Sequence, residues 1–473
     1  MAISKTTEIS PLDPAAEEPF YRQIYDRFRG AIAGGVLKPG DRIPSARALA
    51  SELGLARGTI DAAYSLLVAE GYIQARGQAG TIVAPDLKAR APVVITPRKI
   101  DTGPVPTSFR PDSVLPFQMG LPALDAFPRK MWARLGARCV RAMQPSDMAH
   151  PSVFGLPALR AEIAAYLQVS RGIDCAASQI FVTSGYRQTV ELVAHALLKT
   201  GDQVWLEDPG YPPTRDLLNH MHIATVPVPV DHDGVRIEDA IAAAPRARAA
   251  VVTPAHQSPL SVSLSLPRRL ALLDWAASND AWVIEDDYDG EYRYVSRPLP
   301  ALKSLDRDDR VLYAGTFSKV LFPGIRLAYV VVPEPQVERF GEVCEAFVGG
   351  SPQLTQAIVT DFITEGHFAR HIQRMRKLYA ERRAATVAGL DGVLARHLQI
   401  DAQPGGMHLI LRLRGRRSDR RLVARMREDG LYAEALTDWT RRDDGASALL
   451  VNFTNIPSQR IAEAYGERIL KLI

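Results

Sequence analysis

Tyr313-Ala314-Gly315-Thr316-Phe317-Ser318-Lys319, followed at a short distance by Gly324-Ile325-Arg326, is the stretch on which the fold turns. Val311 to Gly315 reads as a short apolar strand, and Lys319 follows it after small hydroxyl residues. A lysine at the end of a buried strand is placed to form a Schiff base with an aldehyde cofactor. A lone lysine is usually a solvated surface residue, but the Gly-Thr-Phe-Ser approach is too apolar and too small for that. Arg326 can bind a cofactor phosphate together with Ser318 and Thr316.

Upstream lies Ile284-Glu285-Asp286-Asp287-Tyr288-Asp289. Pyridoxal chemistry needs a carboxylate at the pyridine nitrogen, because the protonated ring is the electron sink, and a donor at the ring hydroxyl. Asp286 and Tyr288, after the apolar run from Ala281 to Ile284, are the candidates; Glu285, Asp287 and Asp289 read as solvated or structural. Thr183-Ser184-Gly185-Tyr186-Arg187 follows another strand and opens a helix, so the backbone of Ser184, Gly185 and Tyr186 can cradle phosphate. Glu207-Asp208-Pro209-Gly210-Tyr211 follows a third strand and brings Tyr211 toward cofactor or effector. Thr253-Pro254-Ala255-His256 ends a fourth, with His256 either structural or near the ring hydroxyl.

Around these motifs short β-rich runs alternate with amphipathic ones. Residues 179–183, 203–207, 249–253, 281–286, 311–315 and 327–332 are the expected strands, with two more at 405–413 and 448–453 after a long helical stretch from about Gln353. That alternation predicts an α/β domain with a mainly parallel sheet over residues 117–473. Residues 85–116 carry seven prolines and few large apolar residues, which reads as a semi-extended linker. The chain of 473 residues, 47% apolar and 23% charged, suits a multidomain globular protein. Cys139, Cys175 and Cys344 are widely spaced and suggest neither a zinc site nor a disulfide framework; a cytoplasmic location is expected. No apolar run is long enough for a membrane span, and the first residues do not read as a signal peptide.

Residues 1–84 read as small helices followed by a hairpin. Ala46, Leu49, Ala50 and Leu53 share one helical face after the start signal Pro44-Ser45, and Gly54 breaks that helix. Ile60, Ala63, Tyr64, Leu67 and Val68 repeat the pattern until Gly71. Residues 72–83 then give strand, tight turn and strand. This is a helix-turn-helix with a wing, a double-stranded DNA reader. Arg57 and Thr59 would lead the second helix into the major groove, and Ser45, Arg47 and Arg76 would reach backbone or minor groove. Nine basic and nine acidic residues in this segment leave no net charge, so one copy should bind weakly and paired half-sites are expected.

Tyr21-Arg22-Gln23-Ile24, Leu37-Lys38-Pro39-Gly40, Pro44-Ser45-Ala46-Arg47, Glu52-Leu53-Gly54 and Glu70-Gly71-Tyr72 resemble the GntR-family winged helix. Gly155-Leu156-Pro157-Ala158-Leu159-Arg160 and the motifs at 207–211, 285–289 and 315–319 resemble fold-type I aminotransferases. Together they resemble the MocR subgroup of GntR regulators, which fuses the two. The resemblance implies pyridoxal 5′-phosphate on Lys319, Asp286 at the pyridine nitrogen, Tyr288 near the ring hydroxyl, and Arg326 with the Ser184-Gly185 turn at the phosphate. It also implies a homodimer, head-to-tail with exchanged reader domains. Four departures stand out. Ala56 replaces a helix-capping Ser or Thr, and Gly58 replaces a polar residue. Ser258 and Ser261 alter the loop after His256-Gln257. Leu449-Leu450-Val451-Asn452-Phe453 lacks the arginine with which aminotransferases hold a substrate carboxylate, leaving Arg215, Arg441 and Arg442 as candidate substitutes.

The leading expectation is a promoter-binding regulator that senses a small amine or amino acid by aldimine exchange at Lys319, with at most residual transaminase activity. The alternatives are a working aminotransferase with a fused reader, and a regulator that senses pyridoxal phosphate itself.

Overall fold

A computed structural model describes residues 12–87 apart from 15, 17, 78 and 79, and residues 114–473 apart from 295–299, 402–404, 416 and 443–446. Most of the expected linker, and Gln78-Ala79 of the expected wing turn, lie outside the described residues. The chain divides into two compact units between residues 110 and 111.

The first unit has helices α1 (Phe20–Ala33), α2 (Ala46–Leu53) and α3 (Arg57–Ala69) and strands β1 (Arg42–Ile43), β2 (Ile73–Ala75) and β3 (Thr81–Val83). Ser45 starts α2 by accepting the Ala48 N–H on its hydroxyl at 3.2 Å, and Gly54 ends it in the left-handed region at φ +65°. Apolar residues at helical spacing, Ile24, Phe28, Ile60 and Leu67 among them, close a core in which Tyr64 also donates to the Pro44 carbonyl at 2.9 Å. The hairpin β2–β3 is antiparallel as expected. The third strand β1, which pairs with β3, was not expected; two residues are too few to show a period of two.

The second unit is built on an eight-stranded sheet. Its strands are β4 (Ile180–Thr183), β5 (Gln203–Asp208), β6 (Ala224–Asp231), β7 (Gly234–Val235), β8 (Ala249–Val252), β9 (Trp282–Asp287), β10 (Val311–Thr316) and β11 (Ala328–Val331), in the order β4-β11-β10-β9-β8-β5-β6-β7. The β10-β9-β8-β5-β6 run is parallel, and its strands β8, β9 and β10 open on continuous apolar segments because both of their faces are buried. β11 is antiparallel to both its neighbours. The segment between β10 and β11 is too short for a helical crossover, so the chain turns back through Pro323–Ile325. β6 was not expected, because Pro227 and Pro229 argue against a strand. Both prolines alternate in phase, and the Pro229 carbonyl accepts Arg236 N–H on the outer side at 2.9 Å. The missing donors therefore face the sparsely paired edge, not β5.

A second, antiparallel sheet, β12 (Leu398–Asp401), β13 (His408–Leu413), β14 (Glu434–Ala435) and β15 (Ala448–Asn452), has the order β12-β13-β15-β14. Its apolar face packs Leu409, Leu411, Leu449 and Val451 against Tyr379, Leu390 and Leu394 of the 28-residue helix His367–Leu394. The two sheets meet near the carboxyl ends of the parallel strands: Gly210 N–H donates to the Trp439 carbonyl at 3.0 Å, and Arg441 N–H to Asp208 at 2.9 Å.

Strand β9 is fixed by its acids. Glu285 accepts the backbone N–H groups of Leu302 and Lys303, each at 2.8 Å. Asp287 accepts Arg171 Nε at 2.5 Å and the Tyr313 hydroxyl at 2.6 Å, and Arg171 also binds Glu291 at 2.7 Å. These side chains are buried, so of the two readings open for Glu285 and Asp287 the structural one holds. Removing Arg171 would leave two carboxylates without a counter-ion. Arg171→Met is expected to cost about 3–5 kcal/mol, read as a lower urea midpoint; a loss below about 1 kcal/mol would contradict this account of β9.

Candidate functional site

The carboxyl ends of β9 and β10 open on a cavity of about 470 Å³. Such ends are where open α/β sheets bind ligands. Lys319 lies just past β10, and its Nζ donates to the Gly120 carbonyl at 2.9 Å. Burial lowers its pKa from the ordinary lysine value, against the pull of Asp289, Asp286 and Glu434. Asp286, opposite Ala314 in the β9–β10 register, is buried and faces the same cavity. Burial pushes its carboxyl up to about 8, although the Tyr186 hydroxyl holds it back.

Tyr288, Tyr186, Tyr211, Thr316, Ser318 and Arg326 also line the cavity. Tyr288 is positioned from behind. Its hydroxyl lies 3.0 Å from His256 Nδ1, which lies 3.0 Å from Asp289 Oδ1. Gly406 allows that packing, since a Cβ there would come within 2.0 Å of the imidazole. Tyr186 pairs its hydroxyl with Thr214 Oγ1 at 3.1 Å, and its ring lies 6.1 Å from that of Tyr211. The Thr316 hydroxyl accepts Ser318 N–H at 3.1 Å and shapes the turn into Lys319.

Three expected contacts take different places. His256 does not line the cavity and acts through Tyr288. Ser184 is not on the wall either: its N–H donates to Gln188 at 2.6 Å and its hydroxyl pairs with Ser351 Oγ at 3.2 Å. Gly185, with φ +115°, lies beneath Arg326, where a Cβ would come within 2.9 Å of the guanidinium. Asp289, left between solvated and structural, is buried, holds His256 and also lines the cavity.

The structure also supplies residues that sequence reasoning missed. Glu434, Trp439, His408 and Gly120 line the cavity. Glu434 sits on a two-residue strand far along the chain from Lys319, and no local pattern marks it. Its nearest strand partner is Leu450, within the stretch lacking the expected arginine. Of the candidate substitutes, Arg215 and Arg441 line a small recess that shares Tyr186, Tyr211, Asp286 and Trp439 with the cavity; Arg442 lines neither space.

In the first unit Arg47, Arg57 and Arg76 are exposed, Thr59 is half-buried, and the Ser45 hydroxyl is committed to its helix. Arg57 forms an exposed ion pair with Asp61 at 3.3 Å. Helix α3 starts at Ala56 with no side-chain cap, as the sequence implies.

Residues 121–461 match the family described as aminotransferase class I and II, and residues 20–83 match the bacterial regulatory proteins of the gntR family. The probable rhizopine catabolism regulatory protein MocR of Rhizobium meliloti is 39% identical over 412 residues, covering 85% of this chain and 83% of that protein. The pyridoxine biosynthesis transcriptional regulator PdxR of Corynebacterium glutamicum is 34% identical over 408 residues, covering 85% and 84%.

The chain belongs to the MocR-type GntR regulators.

Among solved structures, the α-aminoadipate aminotransferase LysN of Thermus thermophilus, complexed with N-(5′-phosphopyridoxyl)-L-leucine, superposes with a TM-score of 0.67 at 25% identity, covering 76% of this chain and 94% of that one.

The cofactor of this MocR-type chain is pyridoxal 5′-phosphate. Two features of the cavity fit it. The buried Asp286 carboxyl lacks a full counter-charge, which a protonated pyridine nitrogen would supply. Arg326, packed on Gly185 where a side chain would push it away, lines the cavity beside the start of helix α4 (Tyr186–Leu197), and a guanidinium next to a helix N-terminus suits an anion. Among the described residues no helix is long and apolar enough to cross a membrane.

Asp286 gives a pH test. Its folded pKa is raised above the unfolded value, so its contribution is present at low pH and is lost as pH rises through about 8. In cofactor-free protein, Asp286→Asn should therefore gain stability relative to the parent between pH 5 and pH 9 in urea unfolding, on the order of 1 kcal/mol or more. A pH-independent difference would contradict the burial of this group.

Proposed function

We propose that this MocR-type protein is a cytoplasmic, homodimeric transcription regulator that senses a small amine through pyridoxal 5′-phosphate held at Lys319. The observation that carries the reading is that Lys319 and Asp286 line one cavity, within a chain that also carries a winged helix-turn-helix. When bound, the cofactor supplies an aldehyde that condenses with amines.

Each residue then has a role. Lys319 provides the amine that holds the cofactor. Burial lowers its pKa from the ordinary lysine value, which favours the neutral, nucleophilic form. Asp286 faces the ring nitrogen and keeps a proton there. Tyr288, steadied by His256 and Asp289, donates at the ring hydroxyl. Arg326, Ser318 and the N–H groups opening α4 would hold the phosphate, with Thr316 shaping the turn. Tyr211 lines the cavity beside Trp439, their rings tilted and 5.7 Å apart.

Regulation is favoured over transamination by Leu450, which leaves the last strand without a cation for a substrate carboxylate. The similar proteins MocR and PdxR are both described as regulators, which agrees. In the reader, Arg57 and Thr59 lead α3 into the major groove, with Arg47 and Arg76 at the backbone. The electrically neutral reader favours a dimer on paired half-sites, arranged head-to-tail.

Two measurements check this. Lys319→Ala should abolish the visible cofactor absorbance and its borohydride-trapped adduct; retention of both would overturn the assignment of Lys319. Arg57→Ala should cost about 1–3 kcal/mol in operator binding by gel shift or anisotropy; unchanged binding by Arg57→Ala and Arg47→Ala together would overturn the reader assignment.

A further inference from the structure

We propose that Glu434 makes the amine site of this chain selective for a small aliphatic diamine, whose second, cationic nitrogen it receives. The inference rests on the reading that Lys319 holds the cofactor. It says which amines the loaded cavity prefers.

Glu434 lies on the edge strand β14, directly opposite Leu450 of β15. Directly opposed residues of an antiparallel pair project from the same face. On that face Leu450 packs beneath Trp439 in an apolar cluster, while Glu434 reaches the cavity, so the edge of the small sheet presents a carboxylate there. The Trp439 indole N–H donates to Glu434 Oε2 at 2.9 Å and fixes the head group. Among the described residues Glu434 forms no ion pair, and its Oε1 takes no other hydrogen bond. Glu434, Trp439 and Lys319 all line the one cavity.

The electrostatics agree. Burial raises the Glu434 pKa, and the cations that act on it are Lys319 and Arg427. When an incoming amine takes the place of Lys319 on the cofactor, the lysine leaves as a free amine whose charged form burial disfavours, so it is an incomplete counter-ion for Glu434. A second ammonium group on the incoming amine supplies one. A carboxylate on the same carbon chain would meet Glu434 as a like charge. The competing arrangement is an amino acid whose carboxylate enters the recess lined by Arg215 and Arg441. Neither of those arginines is among the leading charges acting on Glu434.

The experiment uses the full-length, cofactor-loaded protein, and first verifies borohydride-trapped cofactor on Lys319. Absence of that adduct defeats the cofactor reading, separately from the present inference. The loaded protein is then titrated with 1,4-diaminobutane, n-butylamine and 4-aminobutanoate, following the cofactor spectrum. The expected result is a Kd for the diamine about 10- to 100-fold below those of the other two. In Glu434→Gln the ratio of butylamine to diamine Kd should fall to near one, with cofactor content as the folding control. If Glu434→Gln fails to hold cofactor, the same ratio is read in Trp439→Phe, which releases the carboxylate from its anchor and should reduce the preference. A loaded protein that prefers 4-aminobutanoate, that does not distinguish the diamine from butylamine, that answers none of the three, or whose preference survives these substitutions overturns the proposal.

Discussion

Keeping one carboxyl group, that of Asp286, buried at the mouth of a parallel sheet is the constraint on which the rest of the large domain depends. A buried acid is costly, and burial carries its pKa to about 8. The neighbouring side chains hold the strand in place regardless. Alternate residues of β9 point to opposite faces, so Glu285 and Asp287 turn away from Asp286. Glu285 binds two backbone N–H groups, and Asp287 binds Arg171 and Tyr313. The acid that faces the cavity is left for a ligand. Its two neighbours are fully satisfied and keep the strand end rigid.

The same logic explains which parts could be read from the sequence. Motifs at strand ends were legible, because a short apolar run followed by Gly, Ser, Thr and one charged residue is a local signal. Asp286, Tyr288, Lys319 and Arg326 carry that signal, and all four line one cavity. His256 was legible as a residue of the site but not as a support for Tyr288, because that depends on packing against Gly406, a long way off in sequence. Glu434 was illegible: its strand has two residues and its importance lies in a partner from another strand. Strand β6 was missed because a proline counts against a strand until its free edge is known.

The two modules are unequal in their chemistry. The cavity keeps the amine, the carboxyl and the anion cradle of a pyridoxal enzyme, while the strand that ought to carry a carboxylate-binding arginine carries Leu450 beside Glu434. The reader has a well-packed core but an uncapped recognition helix and no net charge. A reader that binds weakly as a single copy is one whose occupancy a modest change elsewhere can shift. A ligand that favours one arrangement of the chain by about 1.4 kcal/mol changes its population ratio tenfold.

The most direct test of the central claim, that occupancy of the Lys319 cavity governs DNA binding, is the operator affinity of native and borohydride-reduced protein with and without an amine that perturbs the cofactor spectrum. In the reduced protein the cofactor is fixed to Lys319 and cannot exchange. The account expects the amine to change operator affinity, or the footprint on DNA, of the native protein only. An equal response in both forms, or none in the native protein at saturating amine, would contradict it.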